Sequence, residues 1–157
     1  MIKKSMRFII IAAIIIAVLG FLGFTYSVDV TALDNARITI KDIQIQYIGL
    51  TSCKLKIFID INNPSDRDIS GLTSNFDVFI TDNYVGSGSV SRVSIPAQSS
   101  REKGVSLTII NIYFIGAVKD GIINGNFDVS IKGYASGDVL FGLITVTDHI
   151  SAMKSYP

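Results

Sequence analysis

The chain has no tryptophan, one cysteine, one histidine and three prolines among its 157 residues. Each scarcity excludes something. A lone cysteine, Cys53, permits no intrachain disulfide. It reads as a small, semi-buried side chain, and a domain of this size can fold without a disulfide. Without the disulfide and core tryptophan of antibody domains, an antibody-type module is ruled out. One histidine and one cysteine do not make a structural zinc site without help from carboxylates. His149, beside Asp148, is the one histidine available to a Ser/His/Asp arrangement, but the sequence holds no Gly-x-Ser-x-Gly elbow. Gly86-Ser87-Gly88-Ser89 is followed by no Gly-Lys-Ser/Thr, so it is no phosphate loop. An excess of charge of one sign is also missing. Fourteen basic residues face thirteen acidic ones, which removes the electrostatic case for nucleic acid. The composition points to no enzyme and calls for no cofactor.

What is present begins with an uninterrupted apolar run, Phe8 to Phe24. Its length suits a transmembrane helix, and Tyr26 to Val30 can extend it. In lipid a helix satisfies its own backbone groups, so the run is expected to be helical. Lys3, Lys4 and Arg7 precede it, Asp29 and Asp34 follow, and Arg37 and Lys41 come further on. The positive-inside rule then puts the N-terminus in the cytoplasm and the rest outside. A cleaved secretory signal is the rival reading, but its apolar region is usually about 7–15 residues and an A-x-A site is absent. The expected layout is a cytoplasmic end at 1–7, an anchor at 8–26, a linker at 27–36, one domain at 37–150 and a frayed polar tail at 151–157.

Beyond the anchor, apolar and polar residues alternate. Leu55, Ile57, Ile59 and Ile61 alternate with Lys54, Lys56, Phe58 and Asp60, the clearest half-buried strand. The apolar set changes parity between Ile40 and Ile43, which predicts a β-bulge near Lys41–Asp42. Phe76, Val78 and Ile80 form another inward set, and Asp82-Asn83 predicts a tight hairpin. Two glycines in the returning strand, Gly86 and Gly88, suggest a bulge or close backbone approach. Near-helical spacing from Asn111 to Asp120 predicts one short helix, capped by Asn111 and ended by Gly121. Ala135-Ser136-Gly137-Asp138 reads as a turn before a last strand, Val139 to Thr147. About seven short strands and one helix favour an Ig-like or fibronectin III-like β-sandwich.

The run KIFIDINNPSDRDISGLTSNFDVFITDNYVGSGSV resembles the late-embryogenesis-abundant group 2 family, also called the WHy (water stress and hypersensitive response) domain. The resemblance rests on Leu55–Ile61, then Asn63-Pro64, then Phe76–Ile80 and a return through Gly86 and Gly88. With Val105–Ile109, Phe127–Gly133 and Val139–Val146 it covers Ile38 to Asp148. Ser65 stands where many members carry a second Asn. The resemblance implies a single β-sandwich with a helix, no catalysis, and a binding or protective role in desiccation or stress tolerance. Membrane-anchored forms are common in that family.

The remaining residues are weighed on their own chemistry. Pro64 cannot donate to a ladder and biases Asn63 toward extended geometry, so the pair reads as a pinned strand terminator. Asp66 and Asp68 are the nearest approach to a calcium loop, but the Gly and terminal Glu of such a loop are missing and Arg67 intervenes. Phe58, Phe79, Tyr84 and Tyr113 would mark an interface if they clustered. Two roles follow: a membrane-anchored, non-enzymatic WHy-like domain, or an accessory subunit of a membrane or surface assembly. Lipid around the N-terminal helix is the expected partner. A protein partner is left open.

Overall fold

The computed structural model describes residues 2–49, 52–110 and 116–156. It opens with one unbroken helix, α1 (Ile2–Asp34). The part from Ile9 onward is long and apolar enough to cross a membrane, and only 6% of its most apolar window is buried. The 27–36 linker is corrected: residues 27–34 are helical. That stretch contains neither glycine nor proline, and one of its faces is covered by the domain. Ala32 is buried, and Leu33 packs against the domain core. Asn35 N–H to the Thr31 carbonyl (3.1 Å) and Ala36 N–H to that of Leu33 (3.1 Å) close the helix.

Seven strands follow: β1 (Arg37–Ile48), β2 (Ser52–Asn63), β3 (Ile69–Ile80), β4 (Asn83–Ile95), β5 (Ser99–Ile110), β6 (Phe127–Val139) and β7 (Ile144–Tyr156). A short helix, α2 (Gly116–Asn124), lies between β5 and β6. The strands form two antiparallel sheets, β1-β2-β5 and β4-β3-β6-β7. In the immunoglobulin constant arrangement the fourth strand joins the first sheet. Here β4 pairs with β3, the fibronectin type III variant of the sandwich.

Alternation in β2 becomes burial: Cys53, Leu55, Ile57, Ile59 and Ile61 are all 1% exposed or less. They join Phe76, Val78 and Ile80 of β3 and Val129 and Ile131 of β6 in one core. Each such aliphatic side chain contributes about 1.5–3 kcal/mol on burial. The bulge lies at the predicted place, since the β1–β2 register skips Lys41. Out of the ladder, the Lys41 carbonyl accepts from Lys154 Nζ on β7, and Lys41 Nζ pairs with Glu102 at 2.5 Å. The carboxylate holds Lys41 above the usual lysine range.

Four local expectations are corrected. The hairpin turn falls one residue earlier, on Thr81-Asp82, both left-handed (φ 46° and 63°). The stretch 135–138 is strand, part of β6, and the turn is at Leu140–Leu143. Gly137 has no side chain because Leu33 of α1 occupies that space. The tail is ordered as the end of β7, where Tyr156 pairs with Phe127 and stacks on its ring at 5.1 Å. Helix α2 runs through Gly121 and stops at Gly125 (φ 71°). Asn126 N–H bonds to the Gly121 carbonyl (3.0 Å) and Gly125 N–H to that of Ile122 (3.4 Å), a Schellman cap. Asn111, its expected N-cap, lies outside the described residues.

Burial disfavours the thiolate and pushes the Cys53 thiol up. Cys53 should therefore stay unlabelled by an aromatic disulfide reagent in the folded chain at pH 8 and react fully in denaturant. Fast labelling without denaturant would contradict the packing of β2. Thr81 is β-branched at positive φ, a costly conformation. Replacing Thr81-Asp82 by Asn-Gly, the pair that type I′ turns prefer, should stabilise the full-length chain by about 1 kcal/mol in urea titrations.

Candidate functional site

The register places four connections at the end of the sandwich that α1 enters. Arg37 lies opposite Asn62, Asn63 opposite Ser99, Ile69 opposite Ile95, and Val139 opposite Ile144. The helix–β1, β2–β3, β4–β5 and β6–β7 connections therefore gather there.

Asn63 anchors this end from within. It is fully buried. Its Nδ2 donates to the carbonyls of Arg67 (2.7 Å), Ile95 (3.2 Å) and Pro96 (3.1 Å), and its Oδ1 accepts from Ser65 N–H (3.1 Å) and Ser65 Oγ (2.7 Å). One amide thus shapes its own β2–β3 loop and clamps it to the β4–β5 loop. Pro64 supplies no competing donor at the strand end. Ser65 closes the turn through its own bonds to the Asn63 Oδ1 and the Arg67 backbone.

Asp66 and Asp68 face the β4–β5 loop. Asp68 Oδ1 accepts from Ala97 N–H (2.8 Å), and Asp66 Oδ1 from Gln98 Nε2. Their carboxylates serve loop donors, and no cluster of three or more metal-ligating side chains occurs among the described residues. Between them, Arg67 reaches the helix. Its Nη2 and Nε lie 2.9 Å and 3.2 Å from Asp29 Oδ1. Asp29 Oδ2 accepts from Leu140 N–H at 3.0 Å. Nearby, Arg92 pairs with Asp138. These groups line a charged cleft of about 500 Å³ whose rim includes Phe141.

The other singled-out residues lie elsewhere. Gly86 and Gly88 sit where β4 crosses close to β5. A Cβ at Gly86 would be 2.6 Å from Leu107 Cδ1, and one at Gly88 would be 2.7 Å from the Phe76 ring. Both glycines let the sheets approach at that edge. His149 is exposed and its ring lies 4.4 Å from that of Tyr134. Phe79 and Tyr84 meet edge to face at 5.9 Å, while Phe58 is on the other sheet under Lys56. Tyr113 lies outside the described residues.

Sequence reasoning missed Asp29, Arg67 and Phe141. A signal for the first existed: Thr25, Asp29 and Ala32 fall on one helical face, and that face continues past the apolar run. Chemically, the arrangement is a joint. It ties a helix to a sandwich through paired charges and saturated loop bonds.

No family model and no curated protein sequence matches this chain. Among solved structures, it is similar to AT1g01470 from Arabidopsis thaliana, with a TM-score of 0.55 at 13% identity, covering 76% of this chain and 81% of that one. It also overlaps a candidate late embryogenesis abundant (LEA) protein, At2g46140.1, with a TM-score of 0.42 at 12% identity over 93% and 85% of the two chains. A part of Bacteroides uniformis beta-glucuronidase overlaps too, with a TM-score of 0.43 at 6% identity, covering 76% of this chain and 14% of the enzyme. The first likeness shows a shared fold. The other two are too distant to carry an argument.

Asn63→Ala removes the donor to three carbonyls, and should lower unfolding free energy by about 2–3 kcal/mol. Asp68→Ala, at an exposed loop bond, should cost about 1 kcal/mol or less. Urea titration of the detergent-solubilised chain, followed by circular dichroism, measures both. Equal losses would mean that Asn63 is no clamp.

Proposed function

We propose that this chain is a membrane-anchored, non-enzymatic domain of the LEA group 2/WHy type. Its N-terminus lies in the cytoplasm, its sandwich lies outside, and its role is binding or protection during water loss. The observation that carries this reading is the continuity of α1. A lipid-length apolar segment runs without a break into a helical face docked on the sandwich. A domain so joined stands at a fixed height above the bilayer.

Three further features support it. The sequence resemblance spans Ile38 to Asp148. The fold is shared with the Arabidopsis protein AT1g01470. Ser87 and Ser89 of β4 and Ser106 of β5 expose short polar side chains along the β4–β5 edge, with Asn75 of β3 beside them. Such groups can take the place of departing water at neighbouring polar surfaces.

A second reading, an accessory subunit of a membrane or surface assembly, draws on one feature. Ile45, Tyr47 and Ile48 are 42%, 59% and 41% exposed on β1, an edge strand of its sheet. Exposed apolar surface on an edge strand suits docking or strand addition.

The test reconstitutes the full-length chain in vesicles with a desiccation-sensitive enzyme outside them. After drying and rehydration, enzyme recovery should exceed that from vesicles carrying an unrelated single-span β-sandwich at equal mass. Equal recovery would overturn the protective role. Crosslinking in native membranes addresses the second reading: a stoichiometric partner lost with Tyr47→Ser would replace protection with assembly.

A further inference from the structure

The β6–β7 turn holds two side chains that the fold does not use. Phe141 and Leu143 are 74% and 78% exposed, the highest values among the large hydrophobic side chains described. On a surface bathed in water this arrangement has no benefit. The geometry points to a different surrounding. We propose that this turn is a second membrane contact, with Phe141 and Leu143 entering the headgroup–acyl boundary of the bilayer that α1 crosses. The inference rests on the anchored reading above.

The placement follows from the helix. Phe8 to Phe24 covers roughly 26 Å, short of a ~30 Å hydrocarbon core. The outer edge of that core therefore falls close to Tyr26–Ser27. Asp29, five residues past Phe24, stands about 7–8 Å beyond it along the axis, at headgroup level. Asp29 Oδ2 holds Leu140 N–H at 3.0 Å, so the turn begins at that same level.

The domain also reaches lower than Asp29. Thr25, one turn closer to the lipid, is only 4% exposed, while Phe24 beside it is 70% exposed. One side of the helix is thus covered by protein where the other faces lipid.

The turn's backbone suits the interface as well. Leu140, Phe141 and Gly142 are all left-handed (φ 51°, 60° and 85°). Gly142 N–H bonds to the Val139 carbonyl and Leu143 N–H to that of Leu140, each at 3.2 Å. With the bond from Leu140 to Asp29, three N–H groups of the turn are paired inside the protein. Unpaired ones would resist entry into a low-dielectric layer.

The absence of tryptophan makes the test direct. Single substitutions Phe141→Trp, Leu143→Trp, Phe21→Trp and Tyr47→Trp are placed in the full-length chain in phosphatidylcholine vesicles. Lipids brominated near the headgroup end of the acyl chain, or near the methyl end, serve as quenchers. Phe141→Trp and Leu143→Trp should lose about half their emission to the shallow quencher, less to the deep one, and emit to the blue of Tyr47→Trp. Tyr47→Trp, on the distal half of β1, should be unquenched. Quenching of Phe21→Trp without quenching at positions 141 and 143 would overturn the inference and leave the anchor standing. No quenching at Phe21→Trp would overturn the anchor and the inference with it.

Discussion

Asp29 Oδ1 accepts from the Arg67 guanidinium and Oδ2 from the backbone of Leu140, so one carboxylate ties α1 to the β2–β3 loop and to the β6–β7 turn. Arg67 is in place because Asn63, fully buried, holds the Arg67 carbonyl. A line of contacts thus runs from the core of the sandwich to the helix. The ion pair does not supply the strength, since Arg67 is 44% exposed and such pairs contribute about 0–1 kcal/mol. Ala32 and Leu33, packed against the domain, supply the adhesion. Asp29 fixes the orientation in which that packing occurs, because its two oxygens face two different loops.

The fold was legible wherever alternation coincided with burial on one face. β2 is the plain case, and the Lys41 bulge could be placed from a change of parity alone. It became illegible where small or polar residues serve packing between distant segments. Gly137 looks like turn chemistry, yet it is small because Leu33 lies over it. Gly121 looks like a helix stop, but the stop needs a left-handed residue and Gly125 provides it. The polar end of β7 gave no strand signal, since Lys154 occupies one of its inward positions and reaches the Lys41 carbonyl on the other sheet.

The candidate site divides in the same way. Asn63-Pro64 was readable as a strand terminator because proline chemistry is local. The reach of the Asn63 amide was not, because Ile95 and Pro96 lie 32 and 33 residues further on. Asp66 and Asp68 offered a carboxylate pair, but their donors, Gln98 and Ala97, lie about 30 residues away and meet them only in the folded chain. Asp29 lies 38 residues from Arg67 and 111 from Leu140. No local pattern encodes a contact at that separation. Only the helical spacing of Thr25, Asp29 and Ala32 hinted that the helix had a second face to satisfy.

A continuous helix changes what the rest of the domain is free to do. A flexible linker would let the sandwich tumble and present any face to a partner. With α1 unbroken through Asp34 and its end held by two loops, the sandwich has one orientation relative to the helix axis. On the anchored reading, the helix-side loops then face lipid and are closed to soluble partners. The hydroxyl-rich β4–β5 edge runs along the flank, and Ile45, Tyr47 and Ile48 lie toward the far end. Protection by polar surface would act sideways along the membrane. Docking through β1 would act farther out. The two roles therefore call on different parts of the domain.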